Sequence, residues 1–209
     1  MSSFFNKSFR EILEISSSNS PTPGGGSVSA IVCCLGAAMT AMVANLTVGN
    51  DKYKPVEKEV QALLDTTTAL INKLEALTDA DMEAFDQLMA AYRLPKNTDE
   101  EKAARATTLQ QALKNACNTP LETARVCLSV LKTTENLAPI GNKMAISDAG
   151  VAAAIAEAAL TGVLLSVDIN IPLIKDQAYV HQALNEKEAL LAKAKESKDK
   201  TLAIVKERM

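Results

Sequence analysis

From Ile15 to Asn50 the chain carries no charged side chain, and Ser27–Val48 within it is long and mostly apolar. As a helix that stretch is roughly 33 Å long, enough to cross a bilayer. Its contents point elsewhere. Ser, Thr, Gly and Ala recur beside Asn45, with neither an aromatic belt nor a basic cluster on the flanks. The N-terminal segment, with Lys7, Arg10, Glu11 and Glu14, is amphipathic and lacks the basic-then-apolar order of a signal peptide. An all-round apolar helix rich in small residues reads as the buried centre of a bundle or an oligomer interface. No membrane association is expected.

The rest of the composition agrees with close helix packing. Hydrophobic residues make up 47% of the 209 positions but aromatics only 3%, so the core is built from Ala, Leu, Val, Ile and Met. Such side chains favour helices over pleated sheets. Lys and Arg total 22 against 25 Asp and Glu, a net charge of −3 that leaves no broad basic surface for nucleic acid. His181 is the single histidine, which excludes multi-histidine zinc sites and most Ser/His or Cys/His chemistry. Cys33, Cys34, Cys117 and Cys127 form no C-x-x-C pair and read as buried, reduced apolar residues of a cytoplasmic protein.

Helical signals run from end to end, giving an all-α single-domain bundle over residues 1–209. Phe5–Ser17 reads as an amphipathic helix with Phe5, Phe9, Ile12 and Leu13 on one side. Two prolines and three glycines then shape a loop, Asn19–Ser27, which enters the central helix at Ser27. That helix stops near Gly49–Asn50. Pro55 opens a helical run to about Leu94, with a break near Thr78–Asp79 and a stripe of Met82, Phe85, Met89 and Tyr92. Thr98–Glu101 is a capping box, and Thr119–Glu122 a second with Pro120 at the first helical position. Ser147–Asp148 caps a helix through about Val167, Pro172 interrupts the chain, and Asn185–Met209 is a polar final helix.

Several residues have the chemistry of a site. The glycine loop offers backbone N–H groups at a helix start, without the Gly-Lys-Ser/Thr ending of a Walker loop. Asp81 sits on the rim of the Met82–Tyr92 stripe, where partial desolvation raises a carboxylate towards acid–base work. Asp148 with Ser147 reads as a helix start, Gly141–Asn142 as a turn presenting an amide, and Asn170 as a helix-end residue. Lys52, Lys96, Lys102 and Arg105 are scattered cations.

Taken in order, these segments resemble a known family. The run Pro21–Val28 (PTPGGGSV), Met42–Thr47 and Gly49–Tyr53 are followed by Asp81-x-x-Ala-Phe85, Leu94–Lys96 and Glu100–Lys102 with Arg105. Gly141–Asn142, Ser147–Asp148 and Ile169–Ile171 complete the set. Together they resemble the cyclodeaminase domain of formimidoyltransferase-cyclodeaminase and its stand-alone relatives described as methenyltetrahydrofolate cyclohydrolases. The resemblance implies a helical bundle that assembles as a homodimer or higher oligomer, with a tetrahydrofolate derivative bound near the subunit interface. It implies Gly24, Gly25, Gly26 and Ser27 in the substrate pocket, with Asp81, Asn142, Ser147, Asp148 and Asn170 as polar site residues. Asp81 is the first choice for the acid–base group and Asp148 the second; Lys52 or Arg105 meets the glutamate tail.

The implied reaction is cyclodeamination of 5-formimidoyltetrahydrofolate to the 5,10-methenyl form with release of ammonia; the alternative is hydrolysis of the 5,10-methenyl form to 10-formyltetrahydrofolate, and the alternative of another class is a non-catalytic helical module that binds folate or a partner protein. The reaction needs no metal and no cofactor beyond the folate substrate. A separate formimidoyltransferase is the partner expected to deliver a formimidoyl substrate. Met144, Ser166 and Asp168 depart from the pattern of the relatives.

Overall fold

The computed structural model describes residues 3–209, and among them every regular element is helical. The six α-helices are α1 (Phe9–Ser16), α2 (Gly25–Asn45), α3 (Glu57–Arg93), α4 (Asp99–Leu137), α5 (Ile146–Asn170) and α6 (Gln177–Arg208). Helices α2 to α5 form an up-down-up-down bundle in which α2 lies between α3 and α5, and α4 closes the ring. Helix α6 covers α4 and α5 from outside. The centre is filled by small and aliphatic side chains, among them Cys33, Ala37, Leu74, Val130, Leu131, Leu160 and Val163, all fully buried.

The charge-free stretch is α2, and it is central as expected. Gly25–Asn45 and Lys143–Leu173 are both long and apolar enough to span a membrane, and both are about half buried within the bundle. All four cysteines are free and buried. Burial pushes the Cys34 and Cys117 thiols up to about 12, which removes them as nucleophiles.

Several boundaries differ from the sequence expectation, each for a local reason. Helix α2 begins at Gly25, two residues before Ser27, and ends at Asn45; Leu46–Asn50 is a turn in which Gly49 takes φ +74°. Pro55 lies within a 3-10 turn, Asp51–Val56, that precedes α3. The break at Thr78–Asp79 is absent. Thr78 hydroxyl donates to the Leu74 carbonyl within the helix, while the Asp79 carboxylate accepts the Phe4 N–H at 2.9 Å and docks the N-terminal segment. That segment is a 3-10 turn, Phe4–Asn6, followed by α1 with a Ser8–Glu11 capping box. Phe4 and Ile12 face inward, whereas Phe9 and Leu13 are 60% and 55% exposed, against the expected apolar side.

The Thr98–Glu101 capping box forms as expected. The one at Thr119–Glu122 does not, because α4 runs straight through Pro120. A proline is tolerated there because the carbonyl of Ala116, which loses its helical N–H partner, faces the Asn170 side-chain amide. Nor do Ser147 and Asp148 cap α5. A 3-10 turn, Lys143–Ala145, precedes that helix, and the Asn142 side chain caps it by accepting the Met144 N–H at 3.0 Å. Helix α5 continues to Asn170, Pro172 sits in the 3-10 turn Ile171–Leu173, and α6 starts at Gln177 rather than near Asn185 because Asp176 caps it.

The C-terminus closes the end of α4. Arg208 donates to the carbonyls of Ala138 and Gly141, the latter at 2.7 Å, satisfying acceptors that a helix end leaves open. Arg208→Ala is expected to lower stability by about 1–2 kcal/mol in urea unfolding, the scale of charged hydrogen bonds that are partly solvated.

Candidate active site

The site grows from a helix that lacks its own cap. Gly24 precedes α2 and has no side chain to accept the first N–H groups. Asp81, projecting from α3, takes that role across the seam. Its Oδ2 accepts the Ser27 hydroxyl at 2.7 Å, and the Ser27 N–H also favours its charged form. The approach is possible only because residue 26 is glycine: a Cβ there would lie 2.4 Å from Oδ1. Loss of hydration nevertheless dominates, and the Asp81 pKa is raised above its usual value.

Asp81 stands in the wall of a cleft of about 350 Å³ between the glycine loop, α3, α4 and the end of α5. Gly24, Gly25 and Gly26 line it, with Phe85, Met89 and Tyr92 on the α3 side. Ser166, Ile169, Asn170 and Leu173 close the opposite side. The Phe85–Met89–Tyr92 stripe is therefore cleft wall rather than core. A flat apolar ring between these walls would meet Asp81 and Asn170 as polar groups. Nothing in the local sequence marks Ala116 or Leu173 as wall residues, since their place depends on how α4 and α5 pack.

The candidate residues fall into two groups. Gly24, Gly25, Gly26, Ser27, Asp81 and Asn170 converge at the cleft or directly behind it. Arg105 is one layer behind: its Nη2 donates to the Tyr92 carbonyl at 3.2 Å, and it does not line the cleft. Lys52, Asn142, Ser147 and Asp148 lie at the other end of α2, about 30 Å along the bundle at roughly 1.5 Å per residue. There Asn142 donates from Nδ2 to the Leu46 carbonyl at 2.7 Å, and its N–H donates to the Thr47 hydroxyl at 2.8 Å. Tyr53 accepts the Lys143 N–H at 2.8 Å, and Lys52 sits over the Tyr53 ring. Within the chain these four do not reach Asp81. Among the described residues no three His, Cys, Asp or Glu side chains gather as a metal site.

A family model described as formiminotransferase-cyclodeaminase matches residues 8–189. A methenyltetrahydrofolate cyclohydrolase from Methylorubrum extorquens is 45% identical over 189 residues, covering 90% of this chain and 91% of the relative. The formimidoyltransferase-cyclodeaminase of Rattus norvegicus is 33% identical over 193 residues, 92% of this chain but 36% of that longer protein. The crystal structure of a formiminotetrahydrofolate cyclodeaminase from Thermotoga maritima superposes with a TM-score of 0.87 at 30% identity, over 97% of both chains. Matched in sequence along most of its length and in fold along nearly all of it, the chain belongs to the formiminotransferase-cyclodeaminase family.

Proposed function

We propose that the protein acts on the carbon held between N5 and N10 of tetrahydrofolate, opening the 5,10-methenyl bridge as a cyclohydrolase. The observation that carries this reading is Asp81, a half-buried carboxylate of raised pKa in the wall of an otherwise mostly apolar cleft. Water attacks the methenyl carbon and Asp81 accepts its proton. The N5–C bond then breaks as N5 takes the proton back from Asp81, the carbinol O–H gives its proton to solvent as the formyl C=O forms, and 10-formyltetrahydrofolate leaves. The charged carboxylate also stabilises the cationic carbon it faces. The relative matched at 45% over nearly its full length favours this direction.

The solved cyclodeaminase with the same fold favours a second reading. In that reaction N10 attacks the carbon of the protonated formimidoyl group and gives its proton to the same aspartate, which passes it to the nitrogen that departs as ammonia. Purified protein given each substrate separates the two. Loss of methenyl absorbance without ammonia release supports the cyclohydrolase; methenyl formation with stoichiometric ammonia supports the cyclodeaminase, with a formimidoyltransferase as the supplier of its substrate. Turnover of neither removes the reading. The buried thiols fit a reducing, cytoplasmic setting.

The assembly proposed with this function is a homodimer. Helices α2 and α5 lie side by side and leave apolar residues uncovered: Leu35 on α2 with Leu46 in the turn just beyond it, and Val151, Leu165 and Ile169 on α5. Glu157 and Asp168, the charges along α5 beyond its first turn, are drawn aside by Lys198 and Lys187 of α6. A continuous apolar face of this kind suits a two-fold contact with a second copy. A two-fold axis lying in that face, perpendicular to the helices, reverses the partner, setting the Asn142–Asp148 end of one protomer towards the cleft end of the other. Leu165→Arg is expected to shift the protein from dimer to monomer in sedimentation velocity and to lower turnover with it. A wild-type monomer would overturn this assignment.

A further inference from the structure

The cleft wall contains a backbone acceptor that a proline has set free. Pro120 has no N–H, so the carbonyl of Ala116, four residues earlier in α4, lacks its helical partner. Ala116 lines the cleft. Its carbonyl meets the Asn170 Nδ2 at a long 3.4 Å, while the same nitrogen donates at 2.8 Å to the Ser166 carbonyl. Those two contacts fix the orientation of the Asn170 amide. Its Oδ1 accepts no hydrogen bond among the described residues and remains open. Two neutral acceptors thus lie side by side on residues that line a slot also walled by the apolar Phe85, Leu88, Ile169 and Leu173.

A paired acceptor edge between apolar faces selects a flat ring that presents adjacent N–H donors. We propose that the Ala116 carbonyl accepts from the exocyclic amino group of the pterin ring and Asn170 Oδ1 from the neighbouring ring N–H. The inference rests on the folate reading above. Orientation follows from the helix register. Ser29 of α2 faces Gly162 of α5, which places the Gly26–Asp81 contact near Ser166, one turn before Asn170. The donor edge of a pterin lies on the side of the ring away from N5. Anchoring it at Asn170 therefore turns N5 and its one-carbon unit towards Asp81.

Pro120→Ala tests this directly, because the new N–H takes the Ala116 carbonyl back into the helix. The two substrates are 5,10-methenyltetrahydrofolate and its 2-desamino analogue, which lacks the exocyclic donor. Wild-type protein is expected to show a KM about tenfold lower for the amino substrate than for the analogue, since a site built for a donor leaves acceptors unpaired without it. Pro120→Ala is expected to raise KM about tenfold for the amino substrate, hold kcat within about twofold, and leave the analogue unaffected. An equal loss for both substrates would mean that Pro120 only shapes the helix, and would overturn the proposal. Should the variant fail to fold, the wild-type comparison still decides: equal KM values for the two substrates overturn it. Absence of turnover on both folates would instead remove the functional reading on which it stands.

Discussion

Gly26→Ala is expected to lower kcat about a hundredfold or more while the fold survives. The added Cβ would stand 2.4 Å from Asp81 Oδ1 and 2.7 Å from its Cγ, so the carboxylate must swing away from Ser27. The backbone itself has no objection, because Gly26 lies within α2 at an ordinary helical angle, where alanine is favoured by up to about 1 kcal/mol. That gain offsets part of the roughly 1–3 kcal/mol expected from overpacking. The catalytic loss takes the scale of a displaced general base, ~10²-fold or more. Gly25→Ala is the matched comparison for kcat: Gly25 lines the cleft, so its variant is expected to raise KM, but its Cβ would meet nothing within 4 Å and leaves Asp81 in place. Steady-state rates read beside thermal melts by circular dichroism check both variants. Equal activity of the two would show that the Gly26 contact has no part in the reaction.

Asp81→Asn is expected to separate activity from stability. Asparagine keeps an oxygen for the Ser27 hydroxyl but neither accepts a proton nor carries charge, so kcat is expected to fall ~10²–10⁴-fold. Stability follows the opposite course. Burial raises the folded pKa above the reference 3.8, so the folded chain holds this proton more tightly than the unfolded chain. Wild-type stability therefore declines as pH rises from about 4 through the raised pKa, and stays lowered above it. The variant lacks that decline, and at neutral pH it should be as stable as wild type or more so. The acid limb of the wild-type rate profile should correspondingly lie above the range of an ordinary aspartate. Unchanged turnover in Asp81→Asn would remove this residue from the chemistry.

Much of the architecture is legible locally. A charge-free run of small residues announces the central helix, and Thr98 with Glu101 announces the start of α4 in terms of two side chains and two N–H groups. Pro120 is harder to read, because a proline at a helix start and one inside a helix leave the same local mark. What distinguishes them is Asn170, 54 residues beyond the Ala116 carbonyl that it faces. The exposure of Phe9 and Leu13 shows the same limit, since a pattern defines a face without saying what covers it. For the site, Ser27 and Asp81 are 54 residues apart, and only the resemblance to a family paired them before the fold did. That resemblance could not tell which end of the bundle each residue occupies. Asn142 and Asp148 are therefore close in chemistry to Asp81 but distant from it within one protomer.

The cleft is built on two seams of the bundle. Between α2 and α3, Gly26, Ser27 and Asp81 constrain one another so tightly that few substitutions leave all three contacts intact. Between α4 and α5, the wall consists of a proline-freed carbonyl, one amide and several aliphatic side chains, each replaceable without disturbing the carboxylate. On the proposed reading, reactivity and substrate choice fall on different pairs of helices, so that a change of folate derivative read along α4 and α5 leaves the seam around Asp81 unaltered.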